Sequence, residues 1–454
     1  MDNVTRRTRR QPVATAPAKS RGAKAAAPAP AAAPAPGPGA VGLALPPLPV
    51  VRAGLIGFAS RGWGHFEHLL MLEGAQVTAL CELKPAALEK GAALVVAKGR
   101  PKPALYGPDP HAYRELLARD DVDIVIITTD WDSHAPIAVE ALLAGKHAFI
   151  EVPAAVTMAQ CWALVDAAEK MQRHCMMLEN VCYGREELMI LNMVRQGVLG
   201  DLLHGEAAYI HDLRGQMHDV DTIGVWRTLH YVRRCGNLYP THGLGPIAQY
   251  MDINRGDRFD HLVSMSSPAA GRKLYAGKHF PPDHKWNKVP AWRCGDMNTS
   301  LIQTARGRTI MVQWDETSPR PYTLHNLIQG THGCWGGYPP RLVVEGRTPS
   351  THSWVQGEGL KPWYAEYDHP LWKRMGEEAV KAGGHGGMDF LMIWRTLYCL
   401  RNGLPLDQDV YDAAAWSAVG PVSEESVRRG SAPVEVPDFT RGRWATTPPL
   451  GIVR

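Results

Sequence analysis

The sequence predicts an α/β fold in which a doubly wound parallel sheet precedes an α/β domain built on a mostly antiparallel, open sheet. Two patterns support this prediction. Between residues 51 and 182, short apolar runs alternate with helical periodicity, as in parallel sheets whose strands are joined by helices. From about residue 183, polar and apolar residues alternate over short segments, as in strands with one covered face. We therefore divide the chain into a tail (1–50), a first domain (51–182) and a second domain (183–454).

The tail is expected to be disordered, because its 14 alanines and 10 prolines supply little core. It carries seven basic residues and one acid, whereas the remaining chain has 42 basic and 44 acidic residues. The near-neutral remainder does not favour nucleic acid as a partner, and no apolar run predicts a membrane span. The pairs Arg6-Arg7 and Arg9-Arg10 lack the apolar stretch of an export signal. A cytoplasmic location is favoured, with export by an atypical twin-arginine signal as the alternative.

The first element of the first domain is an apolar strand that enters a glycine turn. The turn reads Gly57-Phe58-Ala59-Ser60-Arg61-Gly62, which matches the pattern G-x-G-x-x-G except at its second glycine. A helical segment follows, and then a strand that ends in Glu82, 20 residues after Gly62. In such a unit the backbone approaches a pyrophosphate, and the acid accepts hydrogen bonds from a ribose. The order predicts NAD rather than NADP as the cofactor; a tight turn without a ligand is the alternative.

Later strands of this domain place further candidates at the same edge of the sheet. Residues 131–134 follow a strand at 122–129, Glu151 ends a strand at 147–151, and Asn180 ends a strand at 175–180. Helices are expected at 84–97, 112–118, 134–144 and 158–172. Ligands of open parallel sheets bind at the carboxyl ends of the strands. The candidates are therefore expected to face one cleft.

The second domain is expected to contain strands at 204–211, 262–266, 300–304 and 309–314, and helices at 388–401 and 410–419. Long loops connect them. The eight cysteines form no C-x-x-C pair, so neither a disulfide framework nor a zinc site is predicted. His65 and His68 have a ligand-like spacing, but on a first helix they are better interpreted as packed or solvated side chains. No metal is expected.

Several segments resemble glycoside hydrolase family 109, the NAD-dependent α-N-acetylgalactosaminidases of the Gfo/Idh/MocA superfamily. The most specific is Gly-Asn-Leu-Tyr-Pro-Thr-His-Gly-Leu-Gly-Pro at 236–246. Others are Glu-Val-Pro-Ala-Ala at 151–155, Met-Leu-Glu-Asn at 177–180 and His-Gly-Gly-Met-Asp-Phe at 385–390. The resemblance spans roughly residues 51–419. It implies a Rossmann domain, a substrate-binding α/β domain and NAD.

The resemblance also implies two groups of site residues. The cofactor-binding residues would be Ser60, Arg61, Glu82, Trp131, His134, Glu151, Val152 and Asn180. The substrate-binding residues would be Tyr209, Arg227, Tyr239, Pro240, Thr241, His242 and Tyr322, with Tyr209, Tyr239 and His242 as the candidate catalytic residues. These residue types suit a sugar, since tyrosine rings stack on a pyranose and histidine moves protons near neutrality. Strand packing is the alternative for Tyr209 and Tyr322, and a structural hydrogen bond is the alternative for His242.

Val152 bears on the reaction. Dehydrogenases of this superfamily usually have Glu-Lys-Pro here, and the lysine exchanges a proton with the hydroxyl that is oxidised; this chain has Glu151-Val152-Pro153. The family chemistry is NAD-assisted oxidation at C3, elimination, water addition and re-reduction, which requires no carboxylate pair flanking the bond. A sugar or inositol dehydrogenase and a non-catalytic nucleotide- or sugar-binding protein stay as alternatives. The expected partners are a small-molecule or glycan substrate and a second copy of the chain, docked through the C-terminal sheet.

Overall fold

The computed structural model describes residues 38–221 and 223–451. The first domain alternates strands and helices. Its elements are β1 (Val51–Ile56), α1 (Gly62–Met71), β2 (Ala75–Cys81), α2 (Pro85–Ala97), β3 (Ala104–Tyr106), α3 (Tyr113–Leu117), β4 (Ile124–Ile127), α4 (Trp131–Leu143), β5 (His147–Ile150), α5 (Met158–Met171) and β6 (Cys175–Met177). The strands form one parallel sheet in the order β3-β2-β1-β4-β5-β6. This arrangement confirms the predicted doubly wound sheet.

Local sequence explains these elements. All four residues of β4 and all four of β5 are buried, because helices cover both faces of the sheet. Helix α4 begins after Asp130, whose side chain accepts a hydrogen bond from the Ser133 amide at 3.0 Å. Helix α5 begins with a capping box between Thr157 and Gln160. The edge strand β3 was not predicted, since three half-buried residues carry too short a pattern.

The second domain is built on a nine-stranded sheet. Its strands are β7 (Leu202–Ile210), β8 (Phe259–Ser266), β9 (Asn298–Thr304), β10 (Thr309–Asp315), β11 (Leu327–Gly330), β12 (Gly333–Gly336), β13 (Arg341–Val344), β14 (Val355–Gln356) and β15 (Val434–Glu435). Their order is β14-β13-β12-β11-β7-β10-β9-β8-β15. Only the β7–β10 pair among these neighbours is parallel. The sheet is therefore mostly antiparallel, as predicted, and its five short strands β11–β15 were missed.

Helices after residue 183 serve both sheets. They are α6 (Arg185–Arg195), α7 (Ile223–Arg233), α8 (Thr241–Tyr250), α9 (Gly271–His279), α10 (Lys361–Tyr367), α11 (Pro370–Ala382), α12 (Met388–Asn402) and α13 (Val410–Arg428). Helix α8 packs on β7, and α13 packs on both β8 and α5. Helix α12 contacts α1 of the first domain. The last two helices therefore join the two sheets, which a linear division of the chain at residue 183 does not express.

Residues 38–50 lie along this helical layer, although their composition assigns them to the tail. The Ala40 amide donates to the Tyr411 hydroxyl at 3.0 Å, and the Leu48 amide donates to the Leu400 carbonyl at 3.0 Å. Backbone hydrogen bonds and one buried alanine hold this segment despite its prolines. Residues 1–37, with both arginine pairs, lie outside the described residues. Within residues 38–221 and 223–451, no helix combines the length and apolarity needed to cross a bilayer.

Candidate active site

A cavity of about 770 Å³ opens along the carboxyl edge of the first sheet and is closed on its other side by residues of β7, α7 and α8. Most of the predicted site residues line it. They are Ser60, Arg61, Glu82, Trp131, His134, Glu151, Val152, Asn180, Tyr209, Arg227, Tyr239, His242 and Tyr322. Pro240 and Thr241 do not line it: Pro240 precedes the first turn of α8, and the Thr241 side chain is fully buried.

The glycine turn has the form that a pyrophosphate requires. Gly57 has φ +79°, and a Cβ there would lie 2.6 Å from Thr129 Cγ2 and 3.0 Å from the Thr129 backbone. A Cβ at Gly62 would lie 2.1 Å from Thr128 Oγ1, so only glycine lets α1 begin this close to β4. Gly57, Ser60 and Arg61 of the turn line the cavity just before the N-terminus of α1, a position that favours an anion. The turn therefore fits a dinucleotide, and the alanine at position 59 does not fill it.

Glu82 is held in place by backbone amides. Its Oε2 accepts from the Ala59 amide at 2.9 Å, and its Oε1 accepts from the Leu83 amide at 2.8 Å and the Lys84 amide at 3.2 Å. The carboxylate thus ties the end of β2 to the glycine turn. It lines the cavity beside that turn, where it can accept hydrogen bonds from ribose hydroxyls.

Arg61 binds two carboxylates, Glu151 of its own domain and Asp389 of the second domain. Its Nε lies 2.9 Å from Glu151 Oε1, and its Nη1 and Nη2 donate to Asp389 at 2.8 and 3.1 Å. His65 Nε2 also lies 2.7 Å from Glu151 Oε1. Burial opposes ionisation of Glu151, but Arg61 and His65 prevail and lower its pKa to about 2. The network fixes Glu151 as an anion beside the cavity.

Asp389 is a site residue that sequence reasoning missed. It lies in the first turn of α12 and is buried, and its carboxylate accepts a hydrogen bond from Asn180 Nδ2 at 2.5 Å. His385 Nδ1 lies 2.8 Å from its other oxygen. Its segment matches the family resemblance, but nothing in the local pattern shows that α12 returns to the first sheet.

His134 and Val152, which also line the cavity, are both buried. The His134 ring lies between the carbonyl oxygens of Pro153 (2.9 Å) and Thr129 (3.1 Å), and burial lowers its pKa.

An aromatic wall begins at the first domain and continues into the second. Trp131 stacks on Tyr239 with ring centroids 5.3 Å apart, and Tyr209 meets Tyr239 edge-on at 4.9 Å. The Arg227 guanidinium lies 4.4 Å from the Tyr239 ring centroid and 4.9 Å from that of Trp131. Rings and cation together make one wall of the cavity. The structure therefore brings Arg227 beside Tyr209 and Tyr239, as expected.

His242 lies in the first turn of α8. Its Nδ1 lies 2.7 Å from Oε1 of Glu179, a fully buried carboxylate that follows β6. Glu179 Oε2 has no hydrogen-bond partner within the described part of the chain. A carboxylate at Nδ1 fixes the orientation of the histidine ring and leaves Nε2 for another partner. Glu179 was missed as a site residue, although it stands at a carboxyl strand end next to Asn180.

Besides the rings of the aromatic wall, Arg227 has buried polar partners. Both Arg227 Nη2 and the Tyr231 hydroxyl donate to Glu316, which is fully buried. Arg272 stacks over the Tyr231 ring at 3.8 Å and lies 3.9 Å from Glu316. Burial works against the charge of Arg227, but Glu316 raises its pKa. Glu316 follows β10, and Arg272 lies in the first turn of α9. No linear motif therefore connects them with Arg227.

Two family models match this chain, one in each domain. Residues 51–179 match the model of the oxidoreductase family with an NAD-binding Rossmann fold, and residues 183–446 match that of the glycosyl hydrolase 109 C-terminal domain. A glycosyl hydrolase family 109 protein of Shewanella pealeana is 57% identical over 415 residues, which cover 91% of this chain and 90% of that protein. The chain belongs to glycoside hydrolase family 109. Its first domain is an NAD-binding Rossmann domain, as predicted.

Solved structures share the fold of this family 109 chain at low identity. A levoglucosan dehydrogenase in complex with NADH and L-sorbose is 18% identical, with a TM-score of 0.65, over 86% of this chain and all of that chain. An NAD-binding oxidoreductase from Klebsiella pneumoniae is 16% identical, with a TM-score of 0.66, over 86% of this chain and 99% of that chain. These likenesses support the two-domain fold.

The charges of the family 109 site divide the polar groups into donors and proton carriers. Burial raises the pKa of Tyr209 to about 12 and holds that of Tyr239 well above its usual range, although Arg227 acts in the opposite direction on both. Phenols that stay protonated at neutrality donate hydrogen bonds and are poor bases. Among the predicted catalytic residues, His242 with Glu179 is thus best suited to accept a proton.

Proposed function

We propose that this chain cleaves α-N-acetylgalactosaminides, or closely related α-glycosides, with NAD assistance and without net redox change. The observation that carries the proposal is the pairing of Val152 with the His242–Glu179 pair in one cavity. Valine cannot exchange a proton with a hydroxyl, so the superfamily's usual dehydrogenase apparatus is missing at this position. A different proton carrier stands across the cavity. The names of the family 109 relatives support a hydrolase.

Several residues that line the cavity are suited to bind NAD. The Gly57–Gly62 turn and the start of α1 would hold the pyrophosphate, Glu82 would hold the ribose of the adenosine, and Trp131, Val152 and Asn180 would line the nicotinamide end. When bound, NAD would supply reversible hydride transfer at C3 of the sugar, and oxidation at C3 would make the C2 proton acidic. The fixed negative charge of Glu151, balanced by Arg61, keeps this end of the cavity polar and ordered.

The protein's own task is proton transfer at C2 and C1. In the proposed course His242 removes the C2 proton, the C1–oxygen bond breaks, and the leaving group departs with the proton that His242 received. Water then adds its oxygen to C1 and a proton to C2, and C3 regains its hydride. Glu179 holds His242 in position through Nδ1. General acid–base catalysis of this kind contributes on the order of 10²–10⁴-fold.

Tyr209, Tyr239 and Arg227 would act as donors. Their protons are retained at neutral pH because burial raises the tyrosine pKa values and Glu316 holds the charge of Arg227. Donors fixed before the reaction stabilise negative charge as it develops on a sugar oxygen. Arg227 can also bind the carbonyl of an N-acetyl group with charge-assisted hydrogen bonds.

A single assay tests the proposed function. The purified protein is incubated with p-nitrophenyl α-N-acetylgalactosaminide while nitrophenol and free NADH are followed by absorbance. Release of nitrophenol without accumulating NADH is the expected result. Accumulating NADH with free sugars would instead indicate a dehydrogenase. Retained NAD with neither product would indicate a binding protein.

We also propose that two copies dock through the open face of the second sheet. Val263, Leu301 and Met311 form a row across β8, β9 and β10, and Leu301 and the nearby Met265 are more than half exposed. An apolar row of this kind is typical of a protein interface. Leu301→Glu should lower the mass measured by light scattering to that of one chain. A wild-type protein that is already monomeric would contradict this proposal.

A further inference from the structure

The aromatic wall of the cavity continues past the predicted sugar site to the surface. Tyr209 meets Tyr322 edge-on with ring centroids 6.3 Å apart, and Tyr322 meets Tyr338 at 5.8 Å and 72°. Trp131, Tyr239 and Tyr209 are buried, whereas both outer rings are partly exposed, Tyr322 by 47% and Tyr338 by 37%. Both outer rings line the same cavity as His242. The buried end suits the reacting sugar, and the outer pair lies at the mouth.

The outer pair is carried by two loops that a buried network fixes to each other. Tyr322 precedes β11, and Tyr338 follows β12. Between Tyr322 and β11, His325 and Asn326 both adopt left-handed backbone conformations, with φ +59° and +45°. Such conformations are uncommon in residues other than glycine and persist where surrounding structure imposes them.

Asn326 supplies that surrounding structure. Its Nδ2 donates to Glu187 at 3.0 Å, and its Oδ1 accepts from the Tyr250 hydroxyl at 3.2 Å. The Gly337 amide donates to the His325 carbonyl at 3.0 Å, and a Cβ on Gly337 would lie 2.8 Å from Asn326 Cβ. The loop that carries Tyr338 is therefore pressed against the loop that carries Tyr322. Two exposed rings are held in a defined relation, unlike freely rotating surface tyrosines.

The chemistry of the pair indicates its ligand. Within the described residues, neither the Tyr322 nor the Tyr338 hydroxyl makes a hydrogen bond to the protein, so both are available to a ligand. Each ring offers an apolar face with a polar tip. A pyranose has matching features, since one face carries C–H groups and its rim carries hydroxyls. A lipid chain would leave both hydroxyls without partners.

We infer that Tyr322 and Tyr338 form an outer subsite that binds a second pyranose ring, the first sugar of the leaving group. The inference rests on the proposed function and extends it from the bond that is cleaved to the class of substrate: α-linked oligosaccharides rather than small alkyl glycosides. Tyr338 is the residue that defines this subsite, because Tyr322 also borders Tyr209 and the reacting sugar.

The test compares two substrates in three variants. A disaccharide with α-linked N-acetylgalactosamine and the methyl α-glycoside of the same sugar are given to wild type, Tyr338→Ala and Tyr338→Phe. Tyr338→Ala should lower kcat/KM for the disaccharide roughly tenfold through KM, as expected for about 50 Å² of lost apolar contact. The loss for the methyl glycoside should be several-fold smaller. Tyr338→Phe keeps the ring and should recover most of the disaccharide rate.

Trp354→Ala is the matched control, because Trp354 is 39% exposed and lies on the same sheet edge outside the cavity. It should affect neither substrate. Equal losses for both substrates in Tyr338→Ala, or no loss for either, would overturn the subsite.

Binding separates this inference from the proposed function. Saturation-transfer NMR should show that Tyr338→Ala weakens contact with the disaccharide and not with the free monosaccharide. If wild type cleaves neither substrate but shows this difference, the subsite stands and the proposed reaction fails. If wild type cleaves both and the difference is absent, the reaction stands and the subsite fails.

Discussion

The two ends of the cavity are built in different ways. At the cofactor end, the turn at Gly57, the acid Glu82 and the carboxylate Glu151 each follow a strand of one sheet, and backbone geometry sets the site. At the other end, the sugar end of our proposal, His242 and Arg227 come from separate helices, and each is held by a buried carboxylate, Glu179 or Glu316. A site formed by closely packed backbone is disrupted by an added Cβ atom. A site formed by side chains depends instead on the residues that hold those side chains in place. Variants at the two ends should therefore fail differently.

The largest effect is expected at the sugar end. His242→Ala and Tyr239→Phe should each lower turnover by roughly 10²-fold or more, because they remove the proton carrier and a fixed donor. NAD content after denaturation and the melting temperature should stay close to wild type, since the cofactor end is untouched. His352→Ala, which alters an exposed histidine outside the cavity, is the control. Near wild-type turnover in both variants would return these residues to structural roles.

The opposite failure is expected from Gly57→Ala. The added Cβ meets the Thr129 backbone, and the left-handed conformation costs alanine about 1–3 kcal/mol. The turn must shift, so the purified protein should contain roughly tenfold less NAD and melt at a lower temperature. Gly64→Ala is a matched control, because a Cβ there meets nothing within 4 Å in α1. Unchanged NAD content in Gly57→Ala would show that backbone approach does not set the cofactor end.

A smaller effect concerns stability alone. Burial lowers the pKa of His147 to about 3 and that of His174 to about 4, at the amino ends of the strands and away from the cavity. The unfolded chain, with histidine pKa values near 6.5, takes up these protons first as the pH falls. The free energy of unfolding is therefore highest above pH 6.5 and falls as the pH drops towards 4. By pH 5 the loss is about 2 kcal/mol for each histidine.

His174→Leu should therefore flatten the fall in melting temperature between pH 7.5 and 5, while NAD content is unchanged at pH 7.5. His352→Leu, at an exposed position, should fall as wild type does. The same fall in His174→Leu and wild type would show that this histidine does not titrate on unfolding.

The sequence predicted the first domain better than the second for a physical reason. Parallel strands such as β4 are continuous apolar runs, and the ligand edge follows from their direction, so Glu82 and Glu151 could be located from strand ends alone. The short strands β11–β15 are only two to four residues long, and pairing with neighbours defines them. Asp389, Glu179 and Glu316 act through contacts with residues distant in sequence, which no local pattern encodes. Only the family resemblance brought Arg227 and Tyr322 to the same site.

The central claim is that the bond breaks by elimination after oxidation, and the fate of the C2 proton tests it most directly. Substrate deuterated at C2 is incubated through many turnovers, and the label in the released sugar is measured by mass spectrometry. The account predicts that deuterium is lost to solvent, because His242 removes that proton in each turnover. A 3-deoxy substrate, which has no hydroxyl to oxidise, should not be cleaved. Complete retention of deuterium during turnover would contradict the account.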